Sequence, residues 1–319
     1  MALPQKINNL PAWSLSKINR WADYIELCCI NNADHIFSID DLVDHYLEEN
    51  GEHIERGENE HSEKYDALIN DFEKCFEQIN FRSQSLKENY PFDIDPDGNS
   101  LSLKAEMTEY HLFYFFLLFA SHPGIFKDRC YELTHAFEDL SCAILREISP
   151  KSAVVHIFGT SRHDDDKTEY KGNLRSRLKK LASNIFAVTA KTFDDDPQFD
   201  VPAGDGGIDL VSFIALDEAP FIPLAFGQCA CSYDEWVDKQ TSISYDRWRS
   251  RFSYLAPFLQ YMFVPFYCRR ADGTFEHPAD ISTCLIDRRR ILKIFVNSET
   301  SVDDFTQHSI HATVLDLVG

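Results

Sequence analysis

The chain has 319 residues, 31 of them basic and 52 acidic, for a formal charge of −21, and 44% of its residues are apolar. That apolar share supplies a buried core, which excludes a disordered chain, a collagen-like repeat and a small disulfide scaffold. The length accommodates about two domains of roughly 150 residues, and the charge argues against attraction of the whole chain to nucleic acid or an anionic membrane.

The charge is uneven. Residues 1–150 hold 12 basic and 28 acidic side chains, and residues 151–319 hold 19 and 24. Two domains are therefore expected: an acidic helical one over 1–150, and a second over 151–319 that includes a C-terminal extension. The simplest reading of the acidic excess is a solvated helical surface.

In the first part, apolar spacing predicts helices over 15–31, 39–50, 63–80, 106–121 and 128–148. Ser38 is placed to cap the second of them, and Pro150 closes the last. Residues 89–101 carry turn chemistry throughout, including Pro91, Pro96 and Asp97-Gly98. The longest apolar run, Leu112 to Ala120, is far short of the ~20 residues needed to cross a bilayer, so a core helix is expected. The N-terminus lacks an apolar signal region. The expected location is the cytoplasm, with no membrane contact. Nine cysteines without any CxxC read as reduced and mostly buried, the Cys229/Cys231 pair included.

After Pro150 the pattern changes to α+β. Residues 153–159 read as a strand, 173–185 as a basic helix, and 186–189 as a short strand. Two apolar runs follow, 208–216 and 221–229, with a turn at Asp217 to Pro220. That turn sets Leu216 opposite Phe221 and Asp209 opposite Gln228, on one face of the sheet. Both faces of the hairpin are apolar, so it belongs at the centre of its sheet. Two polar side chains at the end of such a hairpin are costly unless they are paired or functional. From the hairpin alone both readings stand: Asp209 caps the glycine turn and Gln228 bonds a backbone group, or the two form a site. His156 and His163 read as structural. No P-loop, HExxH or GxSxG occurs, and the glycines precede a strand, unlike a dinucleotide fingerprint.

The string Gly204-Asp205-Gly206-Gly207-Ile208-Asp209, followed by a strand, a turn and Phe226-Gly227-Gln228, resembles the PD-(D/E)XK nuclease superfamily, most closely its Mrr-like restriction endonuclease branch. The resemblance covers roughly residues 153–270. It implies a mixed sheet flanked by helices, preceded here by an all-helical domain. It also implies hydrolysis of DNA phosphodiester bonds with Mg²⁺ or Mn²⁺. Asp209, Gln228 and the backbone carbonyl of Cys229 become the metal ligands, since such ions take hard oxygen donors. Glu169, just ahead of the basic helix, stands in for the Glu that members often carry there. Asp205 would shape the turn or serve as a secondary ligand.

The family pattern has a lysine at position 230, where this chain has Ala230. Some members carry that lysine on the adjacent helix, and here Lys239 is the candidate third catalytic residue beside Asp209 and Gln228. Arg175, Arg177, Lys179 and Lys180, with Arg247, Arg249 and Arg251, are candidate phosphate contacts. Trp248 and Phe252 read as core anchors. The resemblance further implies a role in bacterial anti-phage defence with a partner such as an NTPase or a sensor. RNA as substrate and self-association are left open. The alternative is a catalytically degenerate nuclease fold used as a binding or scaffold subunit.

Overall fold

The computed structural model describes residues 17–50, 59–158, 168–193, 196–200 and 206–297. Gly204, Asp205 and His163 lie outside them. The architecture is α+β, and contacts divide the chain into two compact units. The division falls after Leu118 rather than at Pro150, and Tyr267–His277 belongs with the first unit.

The first unit runs α1 (Ile18–Asn31), β1 (Ile36–Ser38), α2 (Ile39–Glu49), α3 (Asn59–Leu86), β2 (Phe92–Ile94), β3 (Ser100–Leu103) and α4 (Glu109–Ala120), the last turn of which passes the division. Ser38 caps α2 in a capping box: its Oγ accepts from Asp41 N–H at 3.2 Å, and the Asp41 carboxylate accepts from Ser38 N–H at 2.8 Å. The side chains of α4 from Phe113 to Ala120 are all buried, as expected for a helix apolar all round.

This unit is not all-helical. The expected loop at 89–101 is largely a hairpin, with β3 paired antiparallel to both β1 and β2. Gly98, at φ +76°, makes its turn, and Asp95 Oδ1 accepts from the N–H groups of Asn99 and Ser100. The strands are three and four residues long, too short to show alternation against the turn residues around them.

In the second unit α5 (Cys130–Ile148) leads into β4 (Val154–Ile157). Then follow α6 (Leu174–Asn184), β5 (Val188–Thr189), β6 (Leu210–Phe213), β7 (Leu224–Cys229), α7 (Trp236–Lys239), α8 (Tyr245–Arg249), β8 (Phe252–Ser253), β9 (Leu259–Phe263), β10 (Cys284–Ile286) and α9 (Arg288–Asn297). Five strands form one mixed sheet in the order β10-β9-β7-β6-β4, and β5 pairs with β8. The β4–β6 and β6–β7 pairs are antiparallel, while β7–β9 and β9–β10 are parallel.

The expected hairpin register holds: Leu210 faces Gly227 and Val211 faces Phe226. Pairing stops at Phe213–Leu224, so the connecting loop is longer than the four-residue turn expected, and Leu216 and Phe221 are exposed in it. Every residue of β6 and β7 is buried, which fits their central place. One face of the sheet packs on a cluster containing Phe158, Leu178, Leu181, Val211, Phe226 and Trp248. Alternation sends Ser212 to the other face, where α5 packs and where Ser149 Oγ lies 3.2 Å from Ser212 Oγ. Among the described residues no helix is long and apolar enough to cross a membrane. All nine cysteines are free thiols, seven of them buried.

Candidate functional site

The site is built from the glycine turn upward. Gly206 and Gly207 take φ of +67° and +88°, a region that side chains with a Cβ rarely adopt. A Cβ on Gly207 would stand 2.4 Å from Ser242 Cβ. The turn thus delivers the chain to β6 against the Gln240–Ile243 turn, at a distance only glycine permits.

Asp209 follows, its N–H donating to Gly227 O at 2.9 Å and its carbonyl accepting from Phe158 N–H at 2.7 Å. The antiparallel register places Asp209 and Gln228 side by side at one end of the hairpin. Gln228 Nε2 donates to Asp209 Oδ2 at 2.7 Å, and Cys229 N–H donates to the same oxygen at 2.6 Å. Both side chains are buried, Asp209 at 4% exposure and Gln228 at 5%. At the other end of the amide, Gln228 Oε1 lies 3.1 Å from Ser242 Oγ, which is also within reach of the carbonyls of Gly207 and Lys239. Sequence reading missed Ser242. It sits fourteen residues from Gln228 in a polar turn, and nothing in Thr241-Ser242-Ile243-Ser244 marks one hydroxyl above another.

Burial pushes the Cys229 and Cys231 thiols up, and the Asp209 carboxylate adds to both shifts. These cysteines are therefore protonated, poor nucleophiles at neutral pH.

Other expected members are placed differently. Lys239 closes α7 with its ammonium 3.3 Å from Glu235 Oε2, so its ion pair is with the neighbouring turn and not with Asp209. Glu169 is engaged by His156 Nε2 at 3.2 Å, by Lys180 Nζ at 3.3 Å and by Asn184 Nδ2. Among the described residues no three of His, Cys, Asp or Glu converge to hold a metal ion. Glu169 thus pairs with side chains of α6 and β4.

The basic candidates also separate. Arg175 is bidentate to Asp200, at 2.7 and 3.1 Å, and donates to the carbonyls of Phe193 and Asp196, so it holds a loop. Arg177 is fully buried, 5.8 Å over the Phe158 ring, and is not a surface phosphate contact. Arg251 lies over Trp248 and Phe199, and burial lowers its guanidinium to about 10. Lys179, Lys180, Arg247 and Arg249 are exposed, with Lys180 paired to Glu169 and Arg249 to Asp246. Trp248 and Phe252 are core anchors, stacked at 5.7 Å. Comparison with protein-family models, curated proteins and solved structures finds no match to this chain.

Proposed function

We propose that the second unit is a divalent-metal-dependent nuclease of PD-(D/E)XK type acting on DNA, in a bacterial defence setting and together with a protein partner. The observation that supports this reading is the pairing of Asp209 with Gln228 at the end of a central hairpin, behind a turn only glycine can make. The donor types suit Mg²⁺ or Mn²⁺, since a carboxylate, an amide oxygen and the Cys229 carbonyl are hard oxygen donors, but the Gln228 amide turns its nitrogen to Asp209 and its oxygen to Ser242, so it must flip to bind the ion. Mg²⁺ commonly binds through one or two carboxylates, with water and substrate phosphate completing its shell. When bound, the ion supplies polarisation of the phosphoryl oxygen and a lowered pKa for a coordinated water.

The chain's own residues do the rest. Ser242 Oγ stands beside the Gln228 amide, and Gln228 with the Cys229 N–H fixes the Asp209 carboxylate. Lys239, once released from Glu235, is the ammonium that would orient the attacking water. Lys179 and Arg247 offer exposed positive charge to the phosphate backbone.

The test is plasmid cleavage. The intact chain, incubated with supercoiled DNA and Mg²⁺ or Mn²⁺, is expected to nick it, and chelation is expected to stop the reaction. Asp209→Ala should lower the rate at least a hundredfold. Cleavage that survives Asp209→Ala sinks the site.

A second reading, a degenerate nuclease fold kept as a binding or scaffold subunit, is favoured by Ala230 together with the Lys239–Glu235 pair. It predicts DNA retention in a mobility-shift assay without cleavage by either metal.

A further inference from the structure

Ser242 Oγ has one proton and three oxygens within reach: the Lys239 carbonyl at 2.6 Å, the Gly207 carbonyl at 3.0 Å and Gln228 Oε1 at 3.1 Å. A hydroxyl donates once and otherwise accepts. The shortest contact, to Lys239, takes the proton, so Gln228 Oε1 faces a lone pair of Ser242 and not a hydrogen.

The amide is held this way round from its other end. An ionised carboxylate only accepts, and Gln228 Nε2 and Cys229 N–H both point at Asp209 Oδ2, at 2.7 and 2.6 Å. Turned end for end, the amide would set Oε1 against Oδ2. Asp209 therefore favours one orientation of the amide and Ser242 the other. At 5% exposure Gln228 has little water to turn to, and among the described residues its side chain has hydrogen-bond neighbours only in Asp209 and Ser242. Low exposure sharpens such a conflict, because a mismatched polar atom gains little from solvent.

The turned orientation resolves it on the Ser242 side. Nε2 would donate to Ser242 Oγ, and Ser242 would still donate to the Lys239 carbonyl. Oε1 and Oδ2 would then stand side by side, a pairing of hard oxygens that a divalent cation takes as two ligands.

We propose that the Gln228 amide is a two-position switch with Ser242 as its positioning residue: the nitrogen goes to Asp209 in the present state and to Ser242 when a divalent cation is bound. The inference rests on the metal reading of Asp209 and Gln228, and it adds the residue that lets the amide turn.

The test uses the full chain and two readouts besides cleavage. In the first, glutamine side chains carry ¹⁵N, and the Gln228 amide resonances are identified by their loss in Gln228→Glu. Adding Mg²⁺ is expected to shift them in the unmutated chain, a measurement that needs no stable Ser242 variant. The second is calorimetry with Mn²⁺. Ser242→Ala is expected to weaken binding about tenfold, since the turned Nε2 is then buried without an acceptor. Gln228→Glu needs no turn, because either carboxylate oxygen can face the ion. Adding Ser242→Ala to it should therefore change the affinity less than about twofold, whereas a merely structural role for Ser242 would weaken both backgrounds alike. Mn²⁺ binding that depends on Asp209 but leaves the Gln228 resonances unmoved would overturn the switch and leave the metal reading standing. So would equal weakening by Ser242→Ala in the two backgrounds. No Mn²⁺ binding by the parent chain, or binding unchanged in Asp209→Ala, would overturn both.

Discussion

At Gly207 the backbone angle and the neighbouring side chain forbid a Cβ independently. Gly207→Ala is expected to cost roughly 2–4 kcal/mol, from a left-handed backbone and a 2.4 Å approach to Ser242 Cβ. Denaturant midpoints measure it, and adding Ser242→Gly should recover the steric part while leaving the backbone part. His156 gives a pH-dependent case. Burial lowers its pKa from the ordinary 6.5, against a smaller raising effect from Glu169. The unfolded chain therefore binds a proton first as pH falls below about 6.5, and the folded state loses stability across that interval until its own lowered pKa is passed. The loss of urea midpoint between pH 7.5 and 5.5 should be smaller in His156→Asn than in the parent. An equal loss would show that other groups carry the effect. Asp209 and Gln228 were legible as a pair because alternation and the turn residues fix an antiparallel register. Ser242 was not, because its contact with Gln228 depends on how the segment after β7 folds back.

Among the elements, the helices were the most legible, since α2, α5 and α6 keep an apolar spacing over ten residues or more and α4 is a continuous apolar run. Less legible was what helices α1 and α3 bury between them. Arg82, fully buried, donates to Asp23 Oδ1 at 2.7 Å and to Glu26 Oε1 at 2.8 Å, and Tyr90 and Tyr114 donate to the same Glu26 carboxylate. Periodicity counts charged residues as solvent-facing, so it misses a charged group that is buried and paired. Arg82→Met should cost about 3–5 kcal/mol, because it leaves two buried carboxylates without their cation. Adding Glu26→Gln should return part of that stability. A single variant within 1 kcal/mol of the parent would mean the network is solvated in solution.

For the whole molecule, composition indicated two parts but put their boundary in the wrong element. Pro150 ends a helix cleanly, and a helix end looks like a domain end in sequence. Yet α5, just before it, packs on β4, β6 and β7 through a face that includes Leu133, Phe137 and Ile144. A fragment beginning at residue 151 exposes that sheet face and is expected to aggregate. One beginning at residue 119 keeps α5 and should unfold cooperatively by circular dichroism. Cooperative unfolding of the shorter fragment would refute this division of the chain.

The assignment of Tyr267–His277 to the first unit has a consequence on the ribosome. The helices that bury Arg82 leave the exit tunnel early. The ring of Tyr267, 4.5 Å from that guanidinium, and the Arg269 carbonyl that seats Asn19 and Gln78 come much later. About 180 residues separate the two, which at roughly 5–20 residues per second is a wait of about 9–36 s. Through that interval a nascent chain leaves Asn19 and Gln78 without the Arg269 carbonyl and the Arg82 ion pair without the Tyr267 ring over it. The N-terminal unit therefore waits for Tyr267–His277 until four of the five strands of the second unit's sheet have been made, and its yield should depend on chaperones that shelter half-built chains.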